Sequence, residues 1–206
     1  MGYSPGRGES VKQSLASLFL RMSGWRFEGV VPTERRYVLI AAPHTSNWDL
    51  PYLLAFAWYC RIPISWMGKH QIFAGPQGPL FKSLGGIPVR RDRRNDLVSQ
   101  MAKEFAERES MVLVVPPEAT RSRTEYWKSG FYRIAIAANV PIIPSCLDYA
   151  KRIGTFGPAF RPTGNVTKDM DHLRAFYAGA QGKYPERFGP IRLADEDADE
   201  ATAVGS

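Results

Sequence analysis

Apolar positions along this chain recur with helical and strand-like periods in alternation. Glu9–Ser23 carries Val11, Leu15, Leu18, Phe19 and Met22 at spacings of three and four, which predicts an amphipathic helix. Its apolar stripe has two uses: packing on the domain, or lying in a membrane interface. Trp25–Val30 alternates as a strand and stops at Pro32. Tyr37-Val38-Leu39-Ile40 reads as a short buried strand ended by Pro43. Leu50–Cys60 is apolar throughout, too long for a typical strand and too short to span a bilayer, hence a helix. Pro63–Gly68 predicts a strand, Phe73–Phe81 a short irregular helix or loop, and Leu84–Arg91 a strand that Pro88 assigns to an edge or a bulge. A helix capped by Asp92 or Asn95 runs to about Arg108, with Leu97, Val98, Met101, Ala102 and Phe105 on one face.

Met111–Val115 is the clearest buried strand, halted by Pro116-Pro117. Gly130–Asn139 reads as a helix after a Lys128-Ser129-Gly130 turn, and Val140–Leu147 as a strand. Gly154–Pro162 reads as a hairpin or an open loop, Val166–Gly179 as a helix capped by Thr167 or Asp169, and Tyr184–Pro190 as irregular. Alternating strands and helices give an α/β fold: one domain with a mixed, largely parallel sheet flanked by helices. The domain is expected over residues 9–193, between a disordered N-terminus (1–8) and an acidic disordered tail (194–206). Ligands of such sheets bind beyond the carboxyl ends of strands. His44, Lys69, Arg90, Arg91 and the run Glu118–Arg121 all follow predicted strands, which gathers them around one crevice.

Charge narrows the partners. The chain is +7 overall, and +12 without the tail acids Asp195, Glu196, Asp197, Asp199 and Glu200. Such a body favours anionic partners: nucleic acid, phosphorylated metabolites or an anionic lipid surface. Cys60 and Cys146 sit in apolar settings and read as buried free thiols, not as a disulfide or a metal site. With no His cluster, no secretory signal and no membrane-length apolar run, no metal is expected. The same features suggest a cytoplasmic protein, free or peripheral on the inner face of the cell membrane.

The candidate chemistry centres on His44-Thr45-Ser46-Asn47-Trp48-Asp49, between a strand and a helix. On a continuous helix, residues five apart point about 140° away from each other. His44 and Asp49 meet only if His44 precedes the helix. An imidazole oriented by a carboxylate is the arrangement of a general base. The same residues also resemble a capping box, with Asp49 reaching back to a backbone N–H.

Four blocks in order then carry a family resemblance. They are His44–Asp49; Gly85-Gly86-Ile87-Pro88-Val89-Arg90-Arg91; Pro117-Glu118-Ala119-Thr120-Arg121; and Val140-Pro141-Ile142-Ile143-Pro144. Over roughly Tyr37–Leu147 the chain resembles the PlsC-like glycerophosphate/lysophosphatidate acyltransferases. Two positions depart from the family pattern: Ala119 stands where glycine is usual, and Arg90 where the residue is often acidic.

The resemblance implies a glycerolipid acyltransferase fold. It also implies transfer of a fatty acyl group from acyl-CoA or acyl carrier protein, as co-substrate, to a lysophospholipid-type hydroxyl such as that of 1-acylglycerol-3-phosphate. His44 and Asp49 would be catalytic; Lys69, Arg91, Glu118, Thr120 and Arg121 would bind substrate. Arginine forks suit a phosphate, whereas Glu118 would orient an arginine or bind the acceptor hydroxyl. No further cofactor is implied. Two other readings stand beside it: a basic nucleic-acid-binding module using Arg90–Arg94, Arg121 and Arg123, in which His44 and Asp49 have no role, and a lipid or thioester hydrolase in which His44 activates water.

Overall fold

The computed structural model describes residues 11–89 and 94–197. In chain order it has α1 (Val11–Met22), β1 (Arg26–Glu28), β2 (Arg36–Ala41), α2 (Asp49–Tyr59), β3 (Ile64–Lys69), α3 (His70–Ala74), α4 (Gly78–Ser83) and β4 (Gly86–Val89). These are followed by α5 (Arg94–Glu107), β5 (Met111–Val115), α6 (Gly130–Ala138), β6 (Ile142–Asp148), β7 (Ile153–Phe156) and α7 (Val166–Tyr177). The sheet has seven strands in the order β1-β7-β6-β2-β5-β3-β4. β6, β2, β5, β3 and β4 run parallel; β7 is antiparallel to β6, and β1 is parallel to β7.

β5 throughout, and β2 from Tyr37 to Ile40, are buried on both faces, so these stretches are continuously apolar or aromatic rather than alternating. Val38, Ile40, Leu113 and Val115 face α5, α6 and α7 through Met101, Phe105, Phe131, Ile134, Met170 and Leu173. Tyr37, Leu39, Val112 and Val114 face the α1–α2 layer through Ala16, Leu20, Ala55 and Phe56. Pro88, which lacks a ladder N–H, lies on the edge strand β4 as its chemistry requires. The parallel strands end together, so the turns after β2, β3, β4, β5 and β6 share one rim of the sheet.

Four expectations change. Residues 153–156 form β7, the second arm of an antiparallel hairpin with β6 that begins before Gly154 rather than within 154–162; Gly154 leaves room for the Phe56 ring that a Cβ would meet at 2.5 Å. The helix from Val166 is capped by Asn165, whose Oδ1 accepts the Lys168 N–H at 3.0 Å, not by Thr167 or Asp169. Asp169 is instead buried and accepts the Tyr132 hydroxyl at 2.7 Å. Residues 194–197, expected in the tail, are helical, and Glu196 is buried and ion-paired with Arg174 at 2.8 Å. Residues 1–10 and 198–206 lie outside the described residues.

The largest change concerns α1. It packs on α2, but through Gln13, Ala16 and Leu20. The stripe Val11, Leu15, Leu18 and Met22 points outward, with exposures of 78%, 57%, 48% and 79%. A polar residue takes the buried side because it is satisfied there: the Gln13 amide donates to the Tyr59 carbonyl at 3.0 Å and accepts from Arg61 Nε at 2.7 Å. Leu20→Ala is expected to cost about 2–4 kcal/mol, and Leu15→Ala to stay within about 0.5 kcal/mol. Denaturant melts of the two variants check this; equal losses would show that the helix packs by its other face.

Candidate active site

The chain leaves β2 through Ala42, a cis peptide to Pro43, and the turn that carries His44. Asp49 opens α2, whose Pro51 lies in the first turn, where an N–H would have no helical partner. In this geometry one carboxylate reaches both the backbone and the imidazole. Asp49 Oδ2 accepts the backbone N–H groups of Thr45 and Ser46, each at 2.9 Å, and lies 3.2 Å from His44 Nδ1. Its Oδ1 accepts the Tyr149 hydroxyl at 2.7 Å. With Nδ1 engaged, the imidazole presents Nε2 as its free ring nitrogen. Burial alone would push the Asp49 carboxyl up, but the bonds from His44, Tyr149 and Ser46 outweigh it and hold the group below the ordinary value. Asp49 is therefore a fixed anion.

Glu118 follows β5 and turns inward. It is 3% exposed, and its Oε1 accepts the His44 backbone N–H at 3.0 Å. Oε2 is buried with no hydrogen-bond partner among the described residues. Burial pushes this carboxyl up, partly offset by the bond from His44. The side chain thus ties the turn after β5 to the turn after β2.

The next residues reverse direction and face solvent. Ala119 has φ +56°, in the left-handed region. Thr120 and Arg121 are exposed, and Thr120 Oγ1 accepts the Ser122 N–H at 3.3 Å, which leaves its own O–H to donate outward. Together with His44 and Ser122 they line a polar hollow of about 280 Å³. His44 also borders a second cavity of about 860 Å³, whose lining includes Leu53, Phe56, Ile64 and Trp66. That size falls within the range of small-molecule sites.

The remaining predicted positions divide. Lys69 ends β3 on the same rim, exposed, but lines neither cavity. Arg90 and Arg91 lie outside the described residues, beyond the end of β4 at Val89. The block that leads to them has a backbone reason for its first glycine: Gly85 has φ +82°, and a Cβ there would meet the Ile64 carbonyl at 2.1 Å. Cys60 and Cys146 are buried free thiols, each pushed by burial up to about 12, and Cys146 lines the larger cavity.

The model of the acyltransferase family matches residues 25–148, more than half of the chain. The chain is a member of the acyltransferase family. Its fold is similar to the crystal structure of the 1-acyl-sn-glycerophosphate (LPA) acyltransferase, PlsC, from Thermotoga maritima. The TM-score is 0.53 at 17% identity, over 80% of this chain and 73% of that one. No curated protein matches it. This acyltransferase thus shares the α/β fold that its motifs imply, with a mixed, mostly parallel sheet.

Two features of the site escape motif reading. Tyr149 belongs to none of the four blocks, although its place just after β6, the parallel neighbour of β2, puts it beside His44. Glu118 is in a block, yet its side chain meets backbone rather than an arginine or solvent. The left-handed Ala119 also explains why glycine is usual at that position. Ala pays about 1–2 kcal/mol there, and glycine gives back part of that gain as unfolded-state entropy. Ala119→Gly is expected to raise Tm by roughly 1–3 °C; calorimetry checks it, and a lower Tm would show that the turn holds no strain.

Proposed function

We propose that this acyltransferase moves a fatty acyl group from acyl-CoA or acyl carrier protein to the hydroxyl of a lysophospholipid-type acceptor, foremost 1-acylglycerol-3-phosphate. The observation that carries the reading is that His44 lines two dissimilar cavities. One is large and largely apolar, suited to an acyl chain. The other is small and polar, and Arg121, which borders both, suits a phosphate where they meet. A group that must see both a lipid chain and a phosphorylated alcohol belongs at their junction. The Thermotoga protein, by its description, acts on such an acceptor.

In this reading His44 Nε2 takes the proton of the acceptor hydroxyl as its oxygen attacks the thioester carbonyl. Asp49 fixes the ring and stabilises the imidazolium. The tetrahedral oxyanion collapses, the C–S bond breaks, and the imidazolium returns the proton to the departing thiolate. An ester and a free thiol result, without an acyl-enzyme. Thr120 and Arg121 hold the phosphate, Lys69 contributes charge from the end of β3, and Arg91 is assigned to the acceptor by its motif alone. Glu118 holds the His44 turn through its backbone.

His44→Ala is expected to lower kcat by roughly 10²–10⁴-fold while Tm changes little. A thiol-release assay across acyl donors, lysophospholipids and simple alcohols checks this. Near-full turnover by the variant would remove the mechanism. Fatty-acid release unaffected by acceptor would make the protein a hydrolase.

The acceptor is a membrane lipid, and the outward stripe of α1 suits a bilayer surface. Lys12 and Arg21 flank it, and Trp48 and Leu50 are further exposed apolar residues at the start of α2, with Lys183 over the Trp48 ring. No helix among the described residues is long and apolar enough to cross a membrane. Leu15→Glu with Leu18→Glu is expected to weaken co-sedimentation with anionic liposomes at least about tenfold, and to leave turnover of a short-chain soluble acceptor within about twofold. Unchanged sedimentation would assign the stripe another role.

A further inference from the structure

We propose that Tyr149 is a positioning residue for the reaction: its hydroxyl fixes the Asp49 carboxylate and sets how strongly the His44–Asp49 dyad holds a proton. The inference rests on the acyl-transfer reading of that dyad. Asp49 has two oxygens with separate duties. Oδ2 serves His44 and the Thr45 and Ser46 backbone, while Oδ1 has the Tyr149 hydroxyl at 2.7 Å. Without that bond the Oδ2 contacts alone would leave the carboxylate free to twist about its last torsion, which is soft.

The donor is itself rigidly held. Its backbone N–H donates to the Gln181 carbonyl at 2.9 Å. Its ring meets Trp25 edge-on, with centroids 4.9 Å apart at 88°, and Tyr52 at 6.0 Å and 87°, while Trp25 stacks on Tyr52 at 4.4 Å. Three separate parts of the chain thus aim one hydroxyl at one oxygen. A merely filling tyrosine would not need this, because a phenylalanine packs the same space.

The electrostatic consequence has a definite sign. A hydrogen bond to Oδ1 stabilises negative charge on Asp49 and so weakens its pull on a proton at His44. Among the described residues the other titratable or charged groups near the pair include Tyr52 on α2, Tyr184 in the segment after α7, Glu118 after β5, and Arg121, which shares the polar hollow with His44. Removing the Tyr149 hydroxyl makes the pair easier to protonate, and the acid limb of the rate profile moves to higher pH. That limb belongs to the pair as a unit. A stronger donor moves it to lower pH.

The test compares His44→Ala, Tyr149→Phe, Tyr52→Phe and a fluorinated tyrosine at position 149, using thiol release with a soluble acyl-CoA and lysophosphatidate. For Tyr149→Phe, kcat is expected to fall roughly tenfold with KM for both substrates within about twofold, and the acid limb to rise by about half a pH unit. The fluorinated residue, a better donor in the same ring, lowers the limb. Tyr52→Phe, in the same ring cluster, leaves both unchanged.

The proposal is overturned if Tyr149→Phe keeps wild-type kcat and limb, or loses kcat without moving the limb. It is overturned too if Tyr52→Phe moves the limb equally, or if the fluorinated residue moves it upward. Should Tyr149→Phe fail to fold, the fluorinated variant decides alone by the direction of its limb. If His44→Ala keeps full turnover, the dyad reading has failed instead. If His44→Ala is inactive and Tyr149→Phe is wild-type, only the role of Tyr149 has failed.

Discussion

A carboxylate taken out of water must have its charge answered, and Asp49 is answered by donors from both sides of the site. Two backbone N–H groups and an imidazole come from the turn that carries it, and a phenol comes from the turn after β6. The arrangement is local folding and site building at once. The bonds to Thr45 and Ser46 shape the start of α2, as an N-terminal acid does in many helices. The same oxygen then aims His44. Loss of the carboxylate would leave those buried N–H groups without partners, each at a cost of about 1–3 kcal/mol.

Topology explains why residues remote in sequence meet here. β2, β5 and β6 are adjacent and parallel, so their exits stand side by side. His44 and Glu118 each stand three residues past a strand end, and Tyr149 directly after one. Glu118 closes the arrangement by accepting a backbone N–H from its neighbour, so the turn bearing Arg121 and the turn bearing His44 are joined through a single side chain.

Much of this was legible in the sequence, and the reasons are physical. β2 and β5 announce themselves because a stretch buried on both faces is continuously apolar or aromatic. Pro88 marks an edge because it has no N–H to give. The site blocks were legible because four of them, in order, resemble the motifs of the acyltransferase family. What could not be read is tertiary. α1 turns its apolar stripe outward because Gln13 finds partners in the Tyr59 carbonyl and Arg61, which periodicity cannot foresee. β7 is a strand of four residues beside a glycine, held by pairing on both sides rather than by its own pattern. Tyr149 carries no motif, and only strand order reveals its place.

The inward side of α1 holds it to the domain: Gln13, Ala16 and Leu20 dock the helix, with Phe19 against Tyr52 and Lys12 over Trp58, while Val11, Leu15, Leu18 and Met22 stay exposed. The outer row is therefore uncoupled from the stability of the fold. Those positions can drift, or be rewritten by an engineer, without disturbing the core that carries the strand exits.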